Sequence, residues 1–248
     1  MKSIILAAGR GSRMKGLTDE RPKCLTELGG RPLLDWQTQA LSIGVGPDIA
    51  VVGGYRGDLL ENRGLTVFTN PRWSETNMVV SLTCASSWLE AGPCLVSYGD
   101  IVYTPTAVRR LAEIESDIAI SYDPDWYRVW AARFADPLSD AETFKLSADG
   151  IVTDIGRRPN SLDEVQGQYM GLLRFTSAGW DRVSRHLAVV GSEAAAKLDM
   201  TSLLRALIEG GATVRAVRVE GPWGEVDSAT DLMLYENQGL ADSLGIGP

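Results

Sequence analysis

The first 35 residues constrain the fold of this chain more than any other stretch. An apolar run, Ser3-Ile4-Ile5-Leu6-Ala7, passes directly into Ala8-Gly9-Arg10-Gly11-Ser12-Arg13-Met14, with Pro22-Lys23 close behind. Small residues let backbone N–H groups approach a ligand, and the junction of a strand with a loop aims those donors at one point. Arg13 and Lys23 bring fixed positive charge to the same place. Residues 1–34 sum to +4, whereas the 248-residue chain carries −8 in total, so everything after them sums to −12. A cationic front loop on an acidic protein reads as a local anion site. It does not read as a surface for nucleic acid or an anionic membrane.

The loop fits neither of two common phosphate motifs. A dinucleotide fingerprint needs Gly or Ala where Met14 stands, and the Gly-Lys-Ser/Thr of a P-loop is absent. Other chemistries are narrowed by counting. One histidine, His186, leaves a Ser-His-Asp triad or a histidine-rich zinc site without its parts. Cys24, Cys84 and Cys94 follow no metal-ligand spacing, and their odd number suggests reduced thiols in the cytoplasm. No apolar run approaches the length of a membrane span. Chemistry here therefore has to run on carboxylates, Lys and Arg, with or without a metal.

Short apolar segments at Ser3–Ala7, Ile49–Val52, Leu65–Thr69, Cys94–Tyr98 and Ile118–Tyr122 alternate with amphipathic stretches near 33–43, 78–90 and 105–115. Such alternation predicts βαβ units on a mainly parallel sheet. Thr143–Leu146 and Ile151–Ile155, joined by Ala148-Asp149-Gly150, read as a hairpin, with Tyr169–Thr176 as a second hairpin-like partner. A helix over about 177–190, another after Asp199, a strand at Val214–Val219 and a final helix from Ser228 complete the reading. Residues 156–168, polar and proline-containing, read as a mobile loop. The expected architecture is a single α/β domain over 1–248, a Rossmann-like three-layer sandwich with a mostly parallel central sheet and a small antiparallel insert. Its nucleotide-binding half covers about 1–122 and its acceptor-binding half about 123–248.

Asp100, after the Cys94–Tyr98 strand, stands where an open parallel sheet presents residues to its ligand crevice, although a turn Asp would look the same. Asp227 is open to two readings as well, since it could cap the final helix. The same holds for Asn77 before Val79–Trp88.

Leu6–Gly9, Gly11–Met14 and Pro22-Lys23 resemble the nucleotidyltransferases of the nucleotide-diphospho-sugar transferase fold. The stretch Asn70–Met78 with Ser81-Leu82, Asp136–Leu138, Glu142–Lys145, Asp163–Leu172 and Asp199-Met200 resembles their phosphocholine and phosphonate cytidylyltransferase branch. The likeness extends from Lys2 to about Leu234. One departure is Lys15-Gly16-Leu17-Thr18, where many sugar-specific members have a proline before Leu-Thr.

The resemblance implies direct transfer of a nucleotidyl group. Leu6, Ala7, Ala8, Gly9, Gly11, Ser12, Gly53 and Asp100 would bind the nucleotide together with Arg13 and Lys23, the two catalytic cations. Asp100 and Asp227 would hold Mg²⁺, which needs few protein ligands. Asn77, Tyr98, Tyr169, Gly171, Asp199 and Glu225 would receive the acceptor. The partners implied are CTP and a small phosphate or phosphonate, with the protein a monomer or homodimer. Aromatics at Tyr122, Trp126, Tyr127 and Trp130 suit either packing or a cationic head group. Two other readings are a hexose-1-phosphate nucleotidyltransferase and a regulatory protein that binds nucleotides without turnover.

Overall fold

A computed structural model describes residues 1–246. In chain order, β1 (Lys2–Ala7) leads through a clip of β2 (Glu27–Leu28) and β3 (Arg31–Pro32) to α1 (Leu33–Val45). Then follow β4 (Ile49–Gly53), β5 (Thr66–Thr69), α2 (Met78–Thr83), α3 (Ser86–Ala91), β6 (Cys94–Tyr98), β7 (Ile101–Tyr103) and α4 (Pro105–Glu113). The second half runs β8 (Ile118–Asp123), α5 (Trp126–Arg133), β9 (Phe144–Leu146), β10 (Val152–Ile155), β11 (Gln168–Phe175) and α6 (Ser177–Ala195). It finishes with α7 (Met200–Glu209), β12 (Val214–Arg218), β13 (Trp223–Glu225), α8 (Ala229–Asn237) and α9 (Leu240–Ser243).

Seven strands form one sheet in the order β12-β8-β11-β6-β1-β4-β5. All neighbours are parallel except β11, which runs antiparallel between β8 and β6. Strands sandwiched between helices are apolar on both faces, and alternate residues feed two cores. Ile5, Val51, Leu95 and Leu172 point to the α1, α4 and α8 side. Ile4, Val52, Val96 and Leu173 point to the α2, α3, α6 and α7 side. Three layers result, as the alternating pattern predicts.

Three expectations need correction. The amphipathic stretch 78–90 is two helices, because the chain kinks between Thr83 and Ser86 so that both Leu82 and Leu89 bury. Of Tyr169–Thr176, all but Thr176 belong to β11 in the central sheet, and β9 and β10 alone make the small hairpin. Its burial on both faces, with Met170 and Leu172 in one core and Leu173 and Phe175 in the other, is the pattern of a central strand. Residues 156–168 are pinned where a mobile loop was expected. Val165 is buried and its carbonyl accepts from the Trp126 indole at 3.1 Å, while the Gln166 N–H donates to the Phe144 carbonyl at 2.8 Å. The polarity of that segment serves hydrogen bonds inside the protein.

Candidate active site

The carboxyl ends of β1 and β6 open side by side, with Leu6 opposite Tyr98. Their approach depends on Gly99: a Cβ there would lie 2.6 Å from the Leu6 carbonyl oxygen. Directly after it comes Asp100. Gly11 adopts φ +72°, and a Cβ would meet the Lys23 Cβ at 2.8 Å, so the glycine loop folds flat against the lysine stem. Thr18 ties the loop together by donating its hydroxyl to the Gly11 carbonyl at 3.1 Å and the Lys15 carbonyl at 3.3 Å. Lys15, next to the Gly16 position where many members of the sugar branch have a proline, takes φ 50° and ψ −133°, a strained turn for a residue with a side chain.

Lys23 is the hub. Its Nζ donates to Asp100 Oδ2 at 2.7 Å and to Asp227 Oδ1 at 2.5 Å. Arg13 pairs with the other oxygen of Asp227. Burial would lower the Lys23 pKa, but the two carboxylates outweigh it and hold the amine above its ordinary 10.5. Strand pairing reinforces the cluster: β7 runs against β13, and the Val226 N–H donates to the Asp100 carbonyl at 2.8 Å. Residues 127 positions apart in sequence thus become neighbours.

Asp227 does not cap the last helix. Ser228 does so, in a reciprocal capping box with Asp231, which leaves the Asp227 carboxylate to face the cleft. Asp100 keeps its Oδ1 buried without a protein partner. A carboxylate oxygen in that position suits a divalent cation completed by substrate oxygens and water. Among the described residues no cluster of three His, Cys, Asp or Glu could hold a metal by itself. Two carboxylates beside a cationic glycine loop fit Mg²⁺ better than a closed structural site.

Two adjoining cavities share Arg13, Met78, Tyr98 and Asp227. The first, about 300 Å³, is lined by Leu6, Ala7, Ala8, Gly9, Gly11, Ser12, Lys23, Asn77 and Asp100. Gly53, expected among them, is absent from its lining. It sits in register with Ala7 but faces Leu60, where a Cβ would lie 3.1 Å from Cδ1. Asn77 caps α2 by accepting from the Met78 N–H at 2.7 Å, and the first cavity, not the second, contains it.

The second cavity, about 240 Å³, brings together Tyr169, Gly171, Asp199 and Glu225. Gly171 has φ +79°, and a Cβ would strike the Tyr98 ring at 2.7 Å. Tyr98 and Tyr169 meet edge to face with centroids 5.7 Å apart. Asp199 also caps α7 through the Ser202 N–H at 2.7 Å. Of the aromatic cluster, only Trp130 reaches this lining; Tyr122 stacks on Phe144 and Tyr127 is half exposed.

Sequence reasoning gave no role to Glu142, Trp223 or Gly99. Glu142 lines the second cavity, and its carboxyl accepts from the Thr201 hydroxyl at 3.2 Å. Burial pushes the Glu142 carboxyl above its usual range, with the Thr201 hydrogen bond opposing and Asp199 adding to the shift. Burial likewise raises Glu225, joined by Asp100 and opposed by Arg133, to about 7. His186 lies on α6 and lines neither cavity, and Cys24, Cys84 and Cys94 are all free thiols. No helix among the described residues is long and apolar enough to cross a membrane.

A family model for the MobA-like NTP transferase domain matches residues 3–150. The CTP:phosphoglutamine cytidylyltransferase of Campylobacter jejuni is 36% identical over 249 residues, spanning 94% of this chain and 98% of that protein. Among solved structures, the inositol-1-phosphate CTP transferase from T. maritima superposes with a TM-score of 0.75 at 20% identity, covering 99% of this chain and 96% of its own. The CTP:phosphocholine cytidylyltransferase from Streptococcus pneumoniae gives 0.72 at 22% identity, with 96% and 98% covered. The two structural likenesses carry the fold; the match in sequence carries kinship.

Proposed function

The chain belongs to the MobA-like NTP transferase family, and we propose that it couples CTP to a small phosphate or phosphonate bearing an ammonium group, releasing pyrophosphate. One observation carries this reading: a glycine-and-cation cavity adjoins an aromatic, carboxylate-lined one, and both border on Asp227. The first suits a triphosphate. The second gathers Tyr98, Trp130 and Tyr169 with Glu142, Asp199 and Glu225, a lining that favours a cation. Phosphocholine, 2-aminoethylphosphonate and phosphoglutamine each carry an anionic phosphorus group and a cationic nitrogen.

In the reaction, an oxygen of the acceptor attacks the α-phosphorus of CTP. The new P–O bond forms as the bond to the β-phosphate oxygen breaks, and pyrophosphate departs with that electron pair. The attacking oxyanion is already ionised near neutral pH, so no general base is required. What the protein must supply is positioning of two anions and neutralisation of charge. Lys23 and Arg13 provide that neutralisation from the first cavity. Asp100 and Asp227 would hold Mg²⁺, whose chemistry there is to bind phosphate oxygens and offset their charge. The Gly9–Ser12 backbone lies along the triphosphate cavity, and the Tyr98–Tyr169 pair walls the acceptor side.

Pyrophosphate release with CTP, UTP, dTTP and ATP against phosphocholine, 2-aminoethylphosphonate, phosphoglutamine and glucose 1-phosphate tests the reading. Turnover by CTP with an ammonium-bearing acceptor is expected. Preference for the sugar phosphate would overturn the acceptor assignment. Tight nucleotide binding without release from any pair would mark a non-catalytic binder.

A further inference from the structure

Asp227 is the one residue shared by both cations and both cavities, so what fixes its position matters. It sits in a tight passage from β13 to α8, and the peptide groups of that passage converge on a buried side chain. Asp231 Oδ2 accepts from the Asp227 N–H at 3.2 Å, from the Ser228 N–H at 2.8 Å and from the Ser228 hydroxyl at 2.8 Å. A helix cap needs only part of this arrangement. The remainder comes from another element. Arg133, the last residue of α5, donates Nε to Asp231 Oδ1 at 2.8 Å and Nη1 to Glu225 Oε2 at 2.9 Å. Its side chain is 1% exposed, and its guanidinium lies over the rings of Trp130 and Phe134 at 5.3 and 5.0 Å.

We propose that Arg133 and Asp231 are positioning residues for the reaction: the guanidinium grips carboxylates on either side of Asp227 and so sets where its carboxylate meets Lys23, Arg13 and the metal-bound nucleotide. The two residues it holds are Glu225, two positions before Asp227, and Asp231, four positions after it. A planar fork can hold both at fixed separation, which an ammonium cannot. Asp231 in turn fixes the backbone on which Asp227 is mounted, through the Asp227 N–H itself. Arg133 also stacks on Trp130 and pairs with Glu225, both in the acceptor cavity lining, so one side chain braces the two cavities against each other. A purely architectural ion pair would have no reason to end on both neighbours of the bridging carboxylate.

The inference rests on the nucleotidyltransferase reading but is tested apart from it. Arg133→Met, Arg133→Lys and Asp231→Asn are compared with the unmodified protein by thermal melting, by steady-state kinetics and by Mn²⁺ binding. Binding is read from the electron paramagnetic resonance signal of free Mn²⁺, with whichever of CTP, UTP, dTTP and ATP the unmodified protein binds best. Misplacing the outer support of a metal carboxylate typically weakens metal binding or activity by about 10- to 100-fold. The expected result for folded Arg133→Met is Mn²⁺ affinity down about tenfold and kcat down about thirtyfold, with KM for the nucleotide changed less than about threefold. Arg133→Lys should recover part of both losses. If Arg133→Met does not fold, Asp231→Asn, which keeps its shape and an acceptor oxygen, should show the same paired loss. Folded variants with lower melting temperature but unchanged Mn²⁺ affinity and kcat would overturn the proposal. Because the Mn²⁺ measurement needs no acceptor, failure of every acceptor to react leaves this test intact.

Discussion

Replacing Lys23 with alanine should damage stability and turnover for one electrostatic reason, and Mg²⁺ should repair only the first. The Lys23 amine lies 2.7 Å from Asp100 Oδ2 and 2.5 Å from Asp227 Oδ1, with side chains 11%, 22% and 11% exposed. Removing one partner from a buried pair costs about 3–5 kcal/mol, mostly because the orphaned charge remains. Here the cleft admits some water at Asp100, and Arg13 still faces Asp227. A loss of about 2–3 kcal/mol is therefore expected. At about 2–4 °C per kcal/mol for a protein of this size, melting should fall by roughly 5–10 °C in chelator. Addition of Mg²⁺ supplies cationic charge to the same carboxylates and should narrow that gap. Turnover behaves differently, because a preorganised donor to the developing phosphate charge has no substitute. Its loss should lower kcat about a hundredfold or more, near 2.7 kcal/mol of barrier. Calorimetric melts in chelator and in Mg²⁺, paired with pyrophosphate release at saturating substrates, give both numbers. A folded Lys23→Ala protein with kcat near that of the unmodified enzyme refutes the argument.

Asp100→Asn and Asp227→Asn should each raise the Mg²⁺ concentration for half-maximal rate about tenfold or more, and excess Mg²⁺ should restore only part of kcat. Unaltered metal dependence in either variant would remove that carboxylate from the site. Gly171→Ala forces a side chain onto φ +79° and against the Tyr98 ring. It should raise KM for the acceptor about tenfold while leaving KM for the nucleotide nearly constant, since Gly171 lines only the second cavity. Burial raises the Glu142 carboxyl from 4.5, so the folded state keeps a proton that the unfolded chain has already lost. In the window just above pH 4.5 this group makes stability fall as pH rises, and denaturant titrations of Glu142→Gln should show a flatter slope there. An identical slope would show that Glu142 does not titrate differently on folding.

Local rules made the nucleotide side of the cleft readable from sequence, and their absence hid the acceptor side. Gly9, Gly11, Arg13 and Lys23 lie within fifteen residues of one another, and the strand before them sets their direction. Their convergence needs little more than one loop. The same is true of Asp100, which follows β6 at the end of the sheet where a parallel strand delivers side chains to a crevice. Gly53 misled because the end of β4 occupies the same level of the sheet as Ala7, yet the adjacent Gly57–Leu60 turn brings Leu60 against it. Register places a residue beside a ligand site; the neighbouring chain decides what it faces.

The second cavity, the proposed acceptor pocket, depends on contacts that no spacing encodes. Glu142 reaches Thr201 across 59 positions, and Arg133 reaches Asp231 across 98. In addition, β11 enters the central sheet antiparallel between β8 and β6 and carries Tyr169 and Gly171 to the open end beside Tyr98. Read as a hairpin strand, the same residues would have left the acceptor cavity without its floor. This reversal also explains why the two halves of the site divide the work. The β1 loop brings glycines and cations to the first cavity, whereas the antiparallel β11 brings Tyr169 and Gly171 to the second, where Glu142, Asp199 and Glu225 join them from other elements. Asp227 follows β13, outside the large sheet, so its placement has to be built from hydrogen bonds instead of a ladder in that sheet. That is the place where the proposed brace acts, through a buried arginine bonded to both Glu225 and Asp231. For the same reason, a change at Arg133 should reach metal affinity and kcat alike while leaving the glycine loop, and KM for the nucleotide, nearly as they are.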